Sequence, residues 1–327
     1  MKIELTEEQE MLRASARDFL EKECTERVVQ DVEASGLGYS PGLWRKIAEL
    51  GWFGLVFPQD FGGSGMGLPD LAVLCEELGR ASFPGPFVQT VVYGGIAVSD
   101  AGSEELKASV LPGLIEGREI VAAVMEEPDT AETAVIRHGV TIEAHQQDEG
   151  FVLDGKALFV AGANIASRFL VPARTAQSID HEDGITLFLA DSSLPGISVT
   201  PLASLTGDIP CEVVFDQVKV SNEIALGSVN AGGMLMKQLM QTAAVMRSAQ
   251  ALGAGEKLLQ SATQDHETRI MSDESARDPF AEQYFSRLRV DLDCCRRATY
   301  AAAIRLEEGA YGELDEALLD AWRTRVE

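Results

Sequence analysis

The sequence is short of positive charge. Its 27 lysines and arginines face 52 aspartates and glutamates, a net charge of −25. Such a chain repels polyanions, which disfavours nucleic acid and anionic membrane surfaces as partners. Long apolar runs are also missing: no stretch approaches the roughly 20 residues needed to cross a bilayer. The opening "MKIELTEEQEMLR" lacks the apolar core of a secretory signal, which points to a cytoplasmic protein. Cysteine is scarce and unpatterned. Cys24, Cys75, Cys211, Cys294 and Cys295 show no CxxC spacing, and an odd number without a framework suggests reduced thiols. The adjacent Cys294 and Cys295 read as a plain helical pair. Histidine is rarer still. His138, His145, His181 and His266 form neither HxxxH nor HExxH, so no metal site is expected.

What is present is a globular composition. Hydrophobic residues make up 46% of 327, enough for a large core built in several parts. The first third reads helical. Thr6 and Gln9 form a capping box before a stripe of Met11, Leu12, Ala16, Phe19, Leu20 and Cys24. Ser40-Pro41 starts a second helix and Gly51 stops it, with Leu43, Trp44, Ile47 and Leu50 on the buried face. "LPDLAVLCEELGRA" is a further helix with Leu71, Leu74, Cys75 and Leu78 inward. Helical patterns then cover 87–101 and 103–116, the latter capped by Ser103.

Near residue 120 the period changes. Short runs rich in Val, Ile and Phe follow at about ten-residue spacing, the pattern of an antiparallel sandwich or barrel. Asp154-Gly155, between "FVL" and "KALFV", predicts a two-residue hairpin. From Asn230 the chain turns helical again, with long helices to about Arg269 and from Pro279 to about Glu308. A third begins near Leu314 and is still helical at Glu327; a helix that ends while amphipathic expects partners. The fold class is α+β, divided as a helical domain (1–118), a β domain (119–228) and a shortened helical domain (229–327).

Residues 50–67, "LGWFGLVFPQDFGGSGMG", suggest a phosphate-binding glycine loop. Gly63 and Gly65 fit GxGxxG, but Leu68 stands at the third position, and Pro58 argues against a preceding parallel strand. The segment reads instead as a tight crossing packed on Trp52, Phe53 and Phe57.

The words of the sequence carry more than its periods. "LTEEQEMLRASARDFLEKE", "WRKIAELGWFGLVFPQDFGGSGMGLPDLAVLCEELGRA", "LDGKALFVAGANIASRFLVPAR", "GISVTPL", "CEVVFDQVKV" and "SAQALGAGEKLLQSA" together resemble the acyl-CoA dehydrogenase family over almost the whole chain. The resemblance implies FAD bound between a β domain and a helical bundle, with help from a neighbouring subunit. It implies α,β-dehydrogenation of an acyl-CoA thioester. A glutamate takes the α-proton, and the β-hydrogen leaves as hydride for a flavin that passes electrons to electron-transfer flavoprotein.

The departures from the family are specific. Its flavin-facing TEP…GSD motif reads "MEEPDTAET" at 125–133, which puts Met125 and Glu126 at flavin-lining positions. A carboxylate there disfavours an anionic reduced flavin. The Trp-Ile-Thr/Ser motif reads Phe159-Val160-Ala161: an aromatic remains and the hydroxyl is lost. R-x-Q-F-G reads "RIMSD" at 269–273, leaving Arg269 as a trans contact for an FAD phosphate. The catalytic glutamate of the first C-terminal helix aligns with Ala243, flanked by Thr242 and Ala244. The family's other placement, in a late loop, falls beyond residue 327.

Three readings follow. The chain is a reduced subunit of an α2β2 acyl-CoA dehydrogenase, like those acting on steroid side chains, whose second acyl-CoA dehydrogenase-like subunit supplies the base. Alternatively it is a homomeric enzyme with a displaced base such as Glu126 or Glu256. Or it is a flavin-monooxygenase-like relative or a non-flavin scaffold. Met234, Met236, Met240 and Met246 read as core in each case.

Overall fold

The computed structural model describes residues 5–125, 140–148, 150–176, 183–204, 209–272 and 279–311. They fall into two units. One joins Met1–Val29, Met66–Phe83 and Ala244–Glu327; the other joins Gln30–Gly65 and Pro84–Ala243.

The first unit is helical, built from α1 (Glu7–Glu23), α4 (Leu68–Arg80), residues 244–272 of α7 (Gly232–Ser272) and α8 (Pro279–Glu307). The capping box forms as expected: Thr6 Oγ1 accepts from Gln9 N at 3.2 Å, and Gln9 Oε1 accepts from Thr6 N at 3.1 Å. Ala16, Leu20 and Cys24 are buried, but Met11 is exposed. Five residues of α-helix turn about 140°, so Met11 lies off the stripe of Ala16 and Leu20.

Helix α4 is buried continuously from Leu71 to Leu78. Its N-terminus is closed by two carboxylates. Asp70 Oδ2 accepts from Gly67 N at 2.8 Å, and Glu307 Oε2, at the end of α8, accepts from Leu68 N at 2.7 Å. These are the orphan donors that every helix start must satisfy. Helices α4 and α7 meet backbone to backbone. A Cβ on Gly253 would stand 1.8 Å from the Glu76 carbonyl oxygen, and one on Gly79 would stand 1.9 Å from that of Gln250.

The second unit holds the sheet. Helix α3 (Pro41–Glu49) starts where Ser40 Oγ accepts from Leu43 N at 3.3 Å, and Gly51 ends it in the left-handed region at φ 76°. Leu43, Trp44 and Ile47 are buried, while Leu50 is exposed. Leu50 is the cap residue, and the turn at Gly51 carries it off the buried face. The glycine loop is a crossing. The amides of Gly62, Gly63, Ser64 and Gly65 donate to the carbonyls of Gln59, Pro58, Gly54 and Phe57 at 2.9–3.1 Å. A Cβ on Gly63 would stand 2.1 Å from the Phe57 oxygen. With its amides already committed, the loop has nothing left to offer a phosphate.

A π-helix (Gln89–Ile96), α5 (Ala97–Ala101) and α6 (Glu104–Ile115) lead into eight strands. These are β1 (Val121–Ala123), β2 (Ile142–Gln147), β3 (Gly150–Ala161), β4 (Arg168–Arg174), β5 (Ile185–Asp191), β6 (Ile197–Pro201), β7 (Pro210–Ser221) and β8 (Ala225–Leu226). The order is β6-β7-β3-β2-β4-β5-β8, with β1 beside β4. Pairings β1–β4 and β2–β4 are parallel and the rest antiparallel, so the sheet is mixed. Phe151, Leu153, Phe169, Phe188 and Phe215 centre its core.

Asp154-Gly155 is not a hairpin. Strand β3 runs straight through it, and the turn lies earlier, between Gln147 and Gly150. The pair forms a bulge against β7, where Asp154 Oδ1 accepts from Gln217 N at 3.3 Å. Gly155, at φ 138°, is required because a Cβ there would stand 2.5 Å from the Thr141 oxygen. A glycine demanded by close backbone approach reads, in sequence, like one demanded by a turn.

Of the methionines read as core, Met236 and Met246 are buried, Met240 is half-buried and Met234 is exposed on the first turn of α7. All five cysteines are free. The helix expected from Leu314 lies outside the described residues. Among the described residues no helix is long and apolar enough to cross a membrane, and no three His, Cys, Asp or Glu side chains are grouped to hold a metal ion.

Replacing Gly253 with alanine forces α4 and α7 apart. Overpacking of this kind costs about 1–3 kcal/mol, and the backbone contact puts Gly253→Ala at or above the upper end. Urea unfolding of the variant against the parent chain measures it; an unchanged midpoint contradicts the crossing.

Candidate functional site

The site is built where three segments of the sheet unit meet. Strand β1 pairs with β4 along one edge only, and Val124 N continues that ladder to Leu170 O at 2.8 Å. Its other edge would leave backbone groups bare. The start of the π-helix fills them: Gln89 Oε1 accepts from Ala123 N at 3.2 Å, and Thr90 Oγ1 lies 3.4 Å from both the nitrogen and the oxygen of Val121. Two side chains thus complete an edge strand. Met125, half-buried, follows directly.

The second segment is the end of β3. Its register against β7 jumps from Ala157↔Val213 to Val160↔Cys211, so Leu158 and Phe159 both face Glu212. In this bulge Phe159 has φ 59°, a left-handed backbone that costs a non-glycine residue about 1–2 kcal/mol. Its ring gains little by burial, being 70% exposed. Half-buried Ala161 comes next, and Gly162 turns the chain away at φ 73°. The third segment is the approach to the π-helix. A Cβ on Gly162 would stand 2.9 Å from Pro86 Cβ, so the end of β3 packs there.

The segments that carry Met125, Phe159 and Ala161 therefore both reach residues 86–90, at the start of the π-helix, through Ala123 and Gly162. Glu126 lies outside the described residues. Arg269 is on the helical unit, exposed near the end of α7. Ala243 is fully buried at 0% exposure. Beside it, the Thr242 hydroxyl is used up in donating to Gln238 O at 2.9 Å, and Ala244 carries no polar group. None of these positions holds a titratable base. Glu256 is not a free carboxylate: Arg296 holds it at 2.6 Å in the helical unit. Gln89 and Thr90 escaped the sequence reading. The signal available was their polarity in a segment, 87–97, that is otherwise apolar.

The convergence suits a flat ring system. A strained aromatic faces outward, an alanine beside it leaves room, and two polar side chains fix the adjoining strand without projecting donors. A flavin ring fits by apolar contact, with no side-chain hydroxyl at 161 to meet its polar edge.

Residues 6–118 match the family model described as acyl-CoA dehydrogenase, N-terminal domain. This segment is similar to acyl-CoA dehydrogenase N-terminal domains. The likeness continues beyond it. A 3-(aryl)acrylate reductase of Clostridium sporogenes is 26% identical over 319 residues, covering 96% of this chain and 83% of the relative. Another curated relative is matched over only 43% of its length. Among solved structures, the FAD complex of PigA is 25% identical with a TM-score of 0.81, covering 94% of this chain and 81% of that one. The Tcur3481–Tcur3483 steroid ACAD, 23% identical with a TM-score of 0.78, covers 99% of this chain and 85% of its counterpart and shares the fold. The acyl-CoA dehydrogenase fold therefore spans both units of the chain.

If Phe159 serves a ligand rather than the fold, removing its ring is cheap. Phe159→Gly relieves the left-handed strain and incurs glycine's entropic penalty of about 0.5–1 kcal/mol. Stability is expected to stay within about 1 kcal/mol of the parent. A loss of several kcal/mol in thermal unfolding assigns the ring to the core instead.

Proposed function

We propose that this chain is one subunit of a heteromeric, FAD-dependent acyl-CoA dehydrogenase-type oxidoreductase whose partner subunit supplies the catalytic base. The observation that carries this reading is Ala243: where the family's helix presents a carboxylate, this chain buries a methyl group. Abstracting a weakly acidic α-proton requires a base within hydrogen-bond reach. Thr242 and Ala244 supply none.

The chain's own residues then have limited tasks. Phe159 offers its ring to one face of the isoalloxazine, Ala161 leaves space beside it, and Met125 pads the neighbouring strand. Bound FAD supplies the hydride acceptor. Gln89 and Thr90 act one step back, by holding β1 where Met125 must be. Arg269, exposed near the end of α7, is placed to offer a guanidinium to a phosphate of a neighbour's FAD.

The substrate class is an acyl-CoA thioester or its α,β-unsaturated counterpart, since the relatives include both dehydrogenases and reductases. Electron-transfer flavoprotein is the proposed redox partner.

An absorption spectrum of the purified chain, with molar mass by light scattering, tests the reading. A colourless monomer or dimer is expected, becoming a yellow complex when the chain is co-expressed with a second acyl-CoA dehydrogenase-like subunit. In that complex Phe159→Ala is expected to lower flavin content. A yellow homotetramer with stoichiometric FAD and turnover of its own overturns it.

A further inference from the structure

The helical unit buries two adjacent carboxylates that the reaction does not use. Glu76 is 2% exposed and Glu77 is 1% exposed. Arg17 of α1 grips Glu77 in bidentate fashion, through Nε at 2.9 Å and Nη2 at 2.6 Å. From α8, Arg296 reaches Glu76 Oε1 at 3.2 Å and Tyr300 Oη donates to Oε2 at 2.8 Å. From α7, Glu256 takes the same Arg296 at 2.6 Å and stands 4.0 Å from Arg80 of α4. Arg80 in turn donates to Gln260 of α7 at 2.6 Å. Further out, the adjoining clefts are lined by Glu10, Arg13 and Glu21 on α1 and by Lys257 and Glu267 on α7. Helix α8 adds Arg289, Asp293 and Arg297.

The two carboxylates are not equivalent. Glu77 has a dedicated guanidinium. Glu76 shares Arg296 with Glu256, which stands closer to it. Burial holds the Glu76 carboxyl above the usual carboxylate range, against the pull of Arg296 and Tyr300 and with the help of Glu256 and Glu77. Burial also pushes the Tyr300 hydroxyl up, so it keeps its proton. That hydroxyl can serve either state of its neighbour, as donor to a carboxylate or acceptor from a carboxylic acid.

We propose that Glu76 is a proton-operated grip between α4 and α8. Ionised, it divides Arg296 with Glu256 and accepts from Tyr300. Protonated on Oε2 by one proton from solvent, it donates to Tyr300 Oη and leaves Arg296 to Glu256. Because the folded chain holds this proton above the range of free glutamate, proton uptake favours the folded side. That contribution is complete below the unfolded value and is lost as pH rises through the raised folded one. The folded helical unit is therefore more stable at mildly acidic pH than at neutral pH, although Arg296 and Tyr300 of α8 themselves favour the ionised carboxyl.

Hydrogen exchange along α8 in the full chain, corrected for intrinsic rates, tests this between about pH 5 and about pH 7.5. Protection at residues 293–303 is expected to fall several-fold across that range, and to be flat in Glu76→Gln, which keeps a hydrogen-bonding side chain but cannot titrate. A Glu76→Gln profile that follows the parent overturns the proposal. Should that variant fail to fold, infrared spectroscopy of the parent chain and of Tyr300→Phe decides. A protonated-carboxyl band that persists above the range of free glutamate, and whose midpoint moves in Tyr300→Phe, supports the grip. A band that is missing, or that does not respond to Tyr300→Phe, overturns it.

Discussion

The backbone contact between α4 and α7 constrains the helical unit more than any other feature. Once Gly79 and Gly253 allow two helices to touch, nothing on the touching face of α4 reaches water. Beside that contact α4 buries Glu76, and on the side turned toward α1 it buries Glu77. Burying a carboxylate is tolerable only if a cation comes to it, so Arg17 arrives from α1 and Arg296 from α8. The charge network ties four helices together as a consequence of the crossing. Taken alone, such a network is weak evidence for stability, because desolvation offsets much of the attraction. Its physical effect is to fix which helix faces which, since each arginine satisfies a carboxylate in only one arrangement.

The sheet unit obeys a different constraint. Strand β1 is short, sits beside β4, and has an edge to hide. Gln89 and Thr90 hide it, which requires the first turn of the segment to present both side chains on one side. A π-helix widens the turn and brings successive polar groups to bear where a regular α-helix would spread them. The strain at Phe159 belongs to the same economy: an exposed aromatic in left-handed backbone is unfavourable for the isolated fold. The bulge against β7 imposes that backbone, as it presents the ring to solvent.

Much of the fold was legible in the sequence where local chemistry decides. The capping box at Thr6, the Ser40-Pro41 start and the Ser103 cap all form, because each is fixed by residues a few positions apart. Where the deciding partner is distant, the sequence misleads. Asp154-Gly155 looks like a turn because nothing nearby reveals that Thr141 will press on Gly155. Glu76 and Glu77 look like the solvated end of an amphipathic helix until Arg17 and Arg296 are in place, some 60 and 220 positions away. Of the candidate site, Met125, Phe159 and Ala161 were named through family resemblance, at the ends of β1 and β3. Gln89 and Thr90, which hold the strand, were not, because their role depends on an edge that no local pattern shows.

The loss at Ala243 differs in kind from the losses around it. On the function proposed above, a hydroxyl missing at 161 or a threonine missing at 126 weakens a contact, whereas a methyl group in place of the base removes a step. Yet the scaffold has not decayed around that methyl. Ala243 is wholly buried and Thr242 satisfies its own helix. The helix packs a neutral residue at 243, while Phe159 is held in left-handed backbone with its ring exposed. Both conditions are met together if this chain keeps its part in holding a cofactor and leaves proton abstraction to another subunit.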